Sequence, residues 1–341
     1  MNQLKNIFGG KPMIYIKNDC NKPQFNLALE EYVFNYLDQF DEIFLLWINE
    51  PTIVVGKHQN TIEEINIQYV KENNINVVRR LSGGGAVYHD LGNLNYTIIS
   101  KNKDSNGFDF KTFSQPVIEV LADLGIHAEF TGRNDIVIDG KKFCGNAQYM
   151  RKGRVLHHGA ILFDVELDVL AKALKVSQDK IVSKGVKSVR SRVTNIKEHL
   201  KEDITIEDFK ELLLKHMFKD KEDMEVYELT EEDLKNINKL MEERYMTWDW
   251  VYGQSPEFNI RKDRRFPSGK VEILIDVDNG FIKDIKFYGD FFGHGDLKDV
   301  EEKLVDIKYS EDEINEALKS IDVGYYFSGI SQDELLKAII D

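Results

Sequence analysis

The chain contains 341 residues, a length that favours two domains, and 42% of them are apolar, which is enough for a sizeable core. Its formal net charge of −14 is spread along the chain and argues against general nucleic-acid binding. Two cysteines, Cys20 and Cys144, are too few for a disulfide framework or a cysteine metal set. No signal peptide or apolar run of membrane-spanning length is found, so we expect a cytoplasmic protein with no nucleic-acid or membrane partner.

The N-terminal part is predicted to alternate strands and helices. Apolar residues at helical spacing predict a helix over residues 25–37. Thr61 and Glu64 form a possible capping box, which predicts a single helix from Thr61 through Val70. Short apolar runs predict three strands, at residues 13–16, 43–48 and 52–55.

The most informative stretch is residues 79–90, Arg-Arg-Leu-Ser-Gly-Gly-Gly-Ala-Val-Tyr-His-Asp. Three consecutive glycines allow the backbone to curl around an anion or to lie flat against a ligand, and arginines suit phosphate and carboxylate. The stretch lacks both the Gly-Lys-Ser/Thr ending of a P-loop and the Gly-x-Gly-x-x-Gly pattern. Apolar runs at 75–78 and 94–99 predict strands on either side. We interpret the stretch as a cradle for a nucleotide phosphate or an acyl phosphate; the alternative is a flexible surface loop.

A second informative stretch follows a predicted helix over residues 113–124. Asp139-Gly140 between alternating apolar residues predicts a β-hairpin. Strand alternation then predicts that three side chains share one face, those of Lys142, Cys144 and Asn146, while Lys141 and Phe143 point to the other face. Lys142 is either the cation of a binding site or a surface lysine of an edge strand, and the spacing favours neither.

A further strand is predicted over residues 155–163. His157 and His158 are adjacent, so in a strand they face opposite ways, which is poor geometry for one metal ion. One of them is expected to line a pocket and the other to be structural. Residues 180–195 are locally basic and contain Gly185, which is typical of a mobile loop that closes over a polyphosphate; an ordinary solvated loop is the alternative.

The C-terminal part is predicted to be a separate small domain. Helices are predicted at 206–217 and 231–245, and the aromatic-rich segment 248–253 then marks a domain boundary. Asp278-Asn279-Gly280 between two alternating runs predicts a hairpin over residues 270–287. Three helices are predicted after it, at 297–304, 311–320 and 331–340.

Six motifs in order along nearly the whole chain resemble those of the lipoate–protein ligases of the two-domain bacterial type. They are Phe25–Ala28, Arg79–Gly92, Gly132–Asp135, Lys142 with Gly145 and Ala147, His157–Gly159, and Ser188–Asn195; Trp248–Trp250 and Gly253-Gln254 add to them. The resemblance implies an α+β fold in which a mixed β-sheet is flanked by helices, as in biotin protein ligases, with a small α+β C-terminal domain. It implies a catalytic domain over 1–247 and an accessory domain over 253–341.

The resemblance also implies a two-step reaction. ATP, with Mg²⁺, and lipoate give lipoyl-AMP and pyrophosphate, and the lipoyl group is then transferred to a lysine of lipoyl-domain proteins (2-oxoacid dehydrogenase E2 subunits and the glycine cleavage H protein). Lys142 is the implied catalytic residue, and Asp135 either holds Mg²⁺ or orients the incoming lysine. The implied substrate-binding residues are Trp47, Arg80, Ser82, Gly83, Gly84, Gly85, Ala86, Val87, Tyr88, His89, Asn134, Asp135, Lys142, Gly145, His158 and Gly159. The implied adenylate loop contains Lys184, Gly185, Ser188, Val189 and Arg190.

Cys144 departs from the resemblance, because the family often has a serine there. A cysteine nucleophile would allow an ATP-independent octanoyl or lipoyl transferase that works through a thioester. A buried thiol that replaces serine is the commoner case. A non-catalytic carrier of lipoate or of lipoyl-AMP and a biotin ligase are further alternatives. Lys142 and the glycine stretch argue against the carrier. The glycine–arginine motif argues against the biotin ligase, because in biotin ligases this motif is shorter and has a different residue pattern.

Overall fold

The computed structural model describes residues 13–101, 109–174, 192–218, 224–252, 259–278 and 280–340. The chain divides into two compact units. The first unit contains residues 1–54, 64–78 and 87–251, and the second contains residues 55–63, 79–86 and 252–341. The glycine stretch 79–86 therefore belongs to the same compact unit as the C-terminal part of the chain.

The strands and helices of the described residues are numbered in chain order. The strands are β1 (Ile14–Ile16), β2 (Glu42–Trp47), β3 (Thr52–Val55), β4 (Asn76–Arg79), β5 (Val87–His89), β6 (Asn93–Lys101), β7 (Ala128–Thr131), β8 (Asp135–Ile138), β9 (Lys141–Arg151), β10 (Arg154–Leu162), β11 (Glu225–Tyr227), β12 (Ile260–Phe266), β13 (Gly269–Asp278) and β14 (Phe281–Gly289). The helices are α1 (Pro23–Tyr36), α2 (Thr61–Glu64), α3 (Ile67–Glu72), α4 (Phe110–Asp123), α5 (Leu167–Ala173), α6 (Ile206–Phe218), α7 (Glu231–Leu240), α8 (Trp248–Val251), α9 (Lys298–Leu304), α10 (Glu311–Leu318), α11 (Val323–Tyr326) and α12 (Gln332–Ile340), with a 3₁₀ turn at Ile196–His199 and a π turn at Met241–Tyr245.

The first unit is built on an eight-stranded sheet in the order β11-β1-β2-β6-β10-β9-β8-β7. The strands β11, β1 and β2 are parallel to one another. Each of the remaining neighbours in this order, β2-β6-β10-β9-β8-β7, is antiparallel to the next. Helices cover the sheet, so the predicted α+β class with a mixed sheet is confirmed. A smaller sheet has the order β4-β3-β5. No helix within the described ranges is long and apolar enough to cross a membrane.

Alternate residues of the large sheet belong to two separate hydrophobic cores, one on each side of the sheet. We call one side the α4 face, because its core contains Phe113 of α4 and Phe209 of α6 together with Phe44 of β2. We call the other side the α1 face, because its core contains Leu29 of α1 and Trp47 of β2. The strand period of two explains how consecutive residues supply both cores.

The predicted single helix from Thr61 through Val70 is wrong. The chain forms α2 and α3, which are separated at Ile65, where the backbone makes an isolated β-bridge to Leu174. The Asn66 side chain accepts a hydrogen bond from the Tyr69 amide and caps α3. The extended backbone at Ile65 is incompatible with a continuing helix, and Asn66 provides a new helix start.

The C-terminal part of the second unit is an antiparallel sheet, β12-β13-β14, packed against four short helices, α9 to α12. The predicted hairpin is confirmed by the β13–β14 pairing. Its core contains Ile273, Phe287 and Phe327, each almost completely buried.

Candidate functional site

The hairpin that carries Lys142 turns at Asp139 and Gly140, both with positive φ (49° and 73°), as the two-residue turn predicted for this dipeptide requires. The pairing of β8 with β9 contains a bulge: Ile136 faces Cys144, but Val137 faces Lys142. Phe143 is therefore an extra residue on β9. A bulge of this kind breaks the alternation of side chains at the point where it occurs.

Because of the bulge, the prediction that Lys142 shares a face with Cys144 and Asn146 is wrong. Lys142 lies on the α1 face, where its Nζ is 2.7 Å from the Asp135 Oδ1. Cys144 is 0% exposed in the α4-face core, and its burial raises the pKa of the thiol. Asn146 lies on that same face, where its Oδ1 accepts a hydrogen bond of 2.6 Å from the Tyr96 hydroxyl.

A row of five residues crosses the α1 face in register. Its members are Asp135, Gly145, Ala160, Asn95 and Trp47, on β8, β9, β10, β6 and β2 in turn. Gly145 and Ala160 are partly exposed, and Ala147 lies one row along on β9. We call these three small residues the small-residue floor, and two of them, Gly145 and Ala160, are reached by solvent. Lys142 stands at one end of the floor and Trp47 at the other.

The Trp47 end of the row is a buried polar network. The Trp47 Nε1 donates to the Thr97 Oγ1 (2.9 Å), and this hydroxyl donates to the Glu30 Oε1 (2.5 Å). The His158 Nδ1 is 3.1 Å from the same carboxylate oxygen. All four side chains lie on the α1 face and are at least nine-tenths buried.

His157 and His158 face opposite ways, as predicted. His157 lies on the α4 face and stacks on Phe113 with ring centroids 5.1 Å apart. The Gln148 Nε2 donates to its Nδ1 (3.0 Å), so its Nε2 carries the proton and is 3.1 Å from the Tyr96 hydroxyl. Burial lowers the pKa of His157 well below its usual value. His157 is thus structural, and His158 belongs to the side with Lys142.

Gly159 also faces the α4 core. A Cβ at this position would lie 2.2 Å from the Tyr96 Cε1 and 2.5 Å from the Asn146 Oδ1. The structure therefore gives Gly159 a packing role. Gly145 differs, since a Cβ there would meet the Lys142 Nζ at 2.7 Å.

The remaining predicted residues of the first unit lie around this row. The amide of Asn49 is 3.1 Å from the His89 Nδ1, and the His89 ring contacts Trp47 edge-on, with centroids 6.2 Å apart. Asn134 holds the bulged strand, because its Nδ2 donates to the backbone oxygen of Asn146. Val87 and Tyr88 pair with Val54 and Ile53 in the small sheet.

The backbone of Lys142 is also fixed. Its N–H donates to the Arg192 oxygen (2.8 Å), and its oxygen accepts from the Thr194 N–H (3.0 Å). The last residues of the predicted adenylate loop, 192–195, are thus tied directly to Lys142. The loop residues Lys184, Gly185, Ser188, Val189 and Arg190 lie outside the described residues.

In the second unit, the glycine stretch is held by its own arginines. The Arg80 guanidinium donates to the Ser82 Oγ (3.0 Å) and to the backbone oxygens of Gly83 (2.7 Å) and Gly85 (2.9 Å). Arg79 donates in the same way to the backbone oxygens of Gly56 and Gln59. Arg80 therefore fixes the conformation of the glycine turn, and Arg79 ties the stretch to residues 56–59. Both guanidinium groups are buried.

The three glycines serve different purposes. Gly84 has φ of 92°, which favours glycine. A Cβ at Gly83 would lie 2.4 Å from the Phe291 oxygen, whereas a Cβ at Gly85 would meet nothing within 4 Å. Gly85 and Ala86 are partly exposed, so the turn offers backbone to a ligand mainly at these two positions.

Sequence reasoning missed four residues of the α1 face: Glu30, Asn95, Thr97 and Ala160. A signal for two of them was present, because Asn95 and Thr97 alternate with apolar residues in a strand that is otherwise apolar. The described residues contain no group of three His, Cys, Asp or Glu side chains that could hold a metal ion. The arrangement suits a ligand with an anionic head near Lys142 and an apolar tail over the small-residue floor.

Comparisons with known proteins agree on one family. Residues 22–218 match the model of the lipoyl protein ligase A/B catalytic domain, and residues 255–339 match that of the bacterial lipoate protein ligase C-terminus. The lipoate-protein ligase LplJ of Bacillus subtilis is 48% identical over 330 residues, covering 96% of this chain and all of the relative.

Two solved structures extend the likeness to the fold. The crystal structure of P. falciparum LipL1 in complex with lipoate has a TM-score of 0.76 and 30% identity, covering 97% of this chain and 99% of that one. The crystal structure of lipoate-protein ligase A bound with ATP has a TM-score of 0.60 and 27% identity, covering 71% of this chain and 99% of that one.

Proposed function

The chain belongs to the lipoate–protein ligase family, and we propose that it activates lipoate with ATP to lipoyl-AMP and then transfers the lipoyl group to a lysine of lipoyl-domain proteins. The single observation that carries the proposal is the placement of Lys142 beside the small-residue floor. Lys142 would supply the cation for the carboxylate of an apolar acid, and the three small residues of the floor would contact its tail.

The dimensions of the row support lipoate as the acid. Three interstrand steps separate Gly145 from Trp47, a span of about 14 Å. An extended five-carbon chain that ends in a dithiolane ring fits this span. The tail would be held mainly by apolar burial, at about 0.8 kcal/mol per methylene group.

Lys142 is the proposed catalytic residue. In the first step a lipoate carboxylate oxygen attacks the α-phosphorus of ATP, the new O–P bond forms, and pyrophosphate leaves. This brings two anions together, and the Lys142 ammonium would stabilise the charge that develops between them. In the second step the acceptor amine attacks the lipoyl carbonyl and AMP leaves.

Asp135 is proposed to act with Lys142. Its Oδ1 lies 2.7 Å from the Lys142 ammonium and neutralises it, and substrate would replace it there. The freed carboxylate would then orient the acceptor amine, or contact the Mg²⁺ that enters with the ATP phosphates. One carboxylate with substrate phosphates is a common Mg²⁺ environment, so the residues present fit either role.

Further contacts with ATP and with the adenylate are proposed from the family resemblance. Arg80 and the backbone of Gly85 to Tyr88 are proposed to bind ATP, and Lys184 to Arg190 to close over the adenylate. The proposed acceptors are E2 subunits and the H protein. The proposed domains are 1–247 and 253–341. A cytoplasmic location is supported by Cys20 and Cys144, which are both free thiols.

A transferase that uses Cys144 is not supported. The thiol is fully buried on the α4 face, and its raised pKa disfavours the thiolate that a nucleophile requires.

The test is pyrophosphate release from ATP on addition of lipoate, with no acceptor protein. Lipoate-dependent release and recovery of bound lipoyl-AMP are expected from the wild type. Lys142→Ala should abolish this release, and Lys141→Ala is its matched control, because Lys141 is the exposed neighbouring lysine on the same strand. No release, together with lipoyl transfer from a donor protein, would refute the ATP-dependent mechanism.

A further inference from the structure

Residues 192–199 form a segment that holds the backbone of Lys142 from one side. Two backbone hydrogen bonds, of 2.8 and 3.0 Å, join this segment to the N–H and the oxygen of Lys142. On its other side, the Asn195 side chain accepts from the Val165 N–H and donates to the Val165 oxygen, both at 3.0 Å. The 192–199 segment therefore lies between β9 and the chain that follows β10.

Lys142 depends on this segment because the regular strand pairing is interrupted beside it. The pairing of β10 with β9 ends at Cys144 and does not reach Lys142. On the β8 side, the pairing reaches Lys142 only across the bulge at Phe143. Among the described residues, the 192–199 segment thus takes the place of β10 as the neighbour of Lys142.

A side-chain contact joins the middle of the segment to its end. Thr194 is almost completely buried, and its Oγ1 lies 2.9 Å from the His199 Nε2 and 3.3 Å from the Glu198 Oε2. The His199 Nδ1 lies 4.0 Å from the Asp139 Oδ2, in the turn of the hairpin that carries Lys142. His199 therefore connects Thr194, whose N–H bonds to the Lys142 oxygen, with the turn that precedes Lys142.

We propose that Thr194 and His199 are positioning residues for Lys142. Their contact keeps the 192–199 segment against the Lys142 backbone, and this fixes the point from which the ammonium reaches the substrate. The proposal rests on the proposed function, since it takes Lys142 as the catalytic residue. Neither side chain has to touch a substrate, so loss of their contact should lower kcat and leave the KM values nearly unchanged.

The first experiment replaces the histidine. In His199→Leu, kcat for lipoate-dependent pyrophosphate release should fall about tenfold, while the KM values for ATP and lipoate stay within about twofold. His199→Gln places an amide within reach of Thr194 and should restore most of kcat. His216→Leu is the matched control and should keep kcat, because the His216 side chain is 20% exposed, against 22% for His199, and its Nε2 lies 2.9 Å from Glu119, outside the segment. A wild-type kcat in His199→Leu, or a loss that His199→Gln does not restore, would overturn the proposal.

The second experiment tests the contact from its other partner. Thr194→Val removes the hydroxyl and keeps the shape, and the double variant with His199→Leu should lose no more kcat than either single variant. Losses that multiply would show that the two residues act independently and would contradict the proposal.

Hydrogen exchange at the backbone N–H of Lys142 tests the same contact without activity. Exchange in His199→Leu should be faster than in the wild type, because the segment that accepts this N–H is held less firmly. Unchanged exchange would overturn the proposal. A wild type that releases no pyrophosphate, with faster exchange in His199→Leu, would instead count against the proposed function and leave the contact with the Lys142 backbone supported.

Discussion

The two faces of the large sheet use neighbouring residues of the same strands for opposite purposes. On the α4 face, Cys144, Tyr96 and His157 are at most 1% exposed, and their polar atoms bond to one another or to nearby amides. On the α1 face, Gly145 and Ala160 are partly exposed beside a lysine. The difference shows that the bulge at Phe143, and not the composition of β9, assigns Lys142 to the open side.

The largest expected effect is that of Lys142→Ala. Pyrophosphate release should fall by about 10³-fold, because the ammonium that stabilises the developing charge is lost. The melting temperature should barely change, since the side chain is 35% exposed and its only described ion pair is with Asp135. Near-normal release from this variant would remove Lys142 from the centre of the chemistry.

A matched pair of glycine variants compares the faces directly. Gly159→Ala forces a Cβ against the Tyr96 ring on the α4 face and should destabilise the chain by about 3 kcal/mol. Gly145→Ala only displaces the flexible end of Lys142, so stability should hold while kcat falls on the order of 10- to 100-fold. Urea unfolding and pyrophosphate release measure the two effects. Equal loss of stability in both variants would mean that the faces do not differ as described.

The sequence predicts much of this arrangement because most of it depends on local signals. The dipeptide Asp139-Gly140 predicts the hairpin, and the strand period of two predicts that His157 and His158 face opposite sides of the sheet. The bulge has no comparable signal. One extra residue among Lys141, Lys142 and Phe143 leaves the apolar pattern compatible with a regular strand and with a bulged strand. The break at Ile65 depends on a bridge to Leu174, more than a hundred residues away, and no local pattern encodes such a contact.

A pH effect of moderate size is expected from the α4 face. The folded chain holds His157 neutral, while in the unfolded chain it takes up a proton below about pH 6.5. The unfolded state then binds more protons, so stability falls as the pH drops below about 6.5, by up to about 1.4 kcal/mol per pH unit from this residue. Urea midpoints between pH 8 and 5 measure the slope.

His157→Gln should flatten that slope while lowering stability at pH 8, because glutamine cannot reproduce both ring bonds. His127→Gln is the control, since His127 is an exposed histidine outside both cores. An unchanged slope in His157→Gln would mean that other buried histidines, such as His58, carry the acid sensitivity.

The smallest expected effect is that of Cys144→Ser. The change puts a hydroxyl in place of a thiol in the α4 core, where the Asn146 Oδ1 lies 3.7 Å from the sulfur and can accept a hydrogen bond. The free energy of unfolding should therefore fall by about 1 kcal/mol, and most of the ligase activity should remain. Cys20→Ser, on the other free thiol, controls for loss of a cysteine as such. Loss of all lipoyl transfer in Cys144→Ser, together with a thioester trapped on the wild type, would place the reactive group on the α4 face and reverse the functions assigned to the two sides of the sheet.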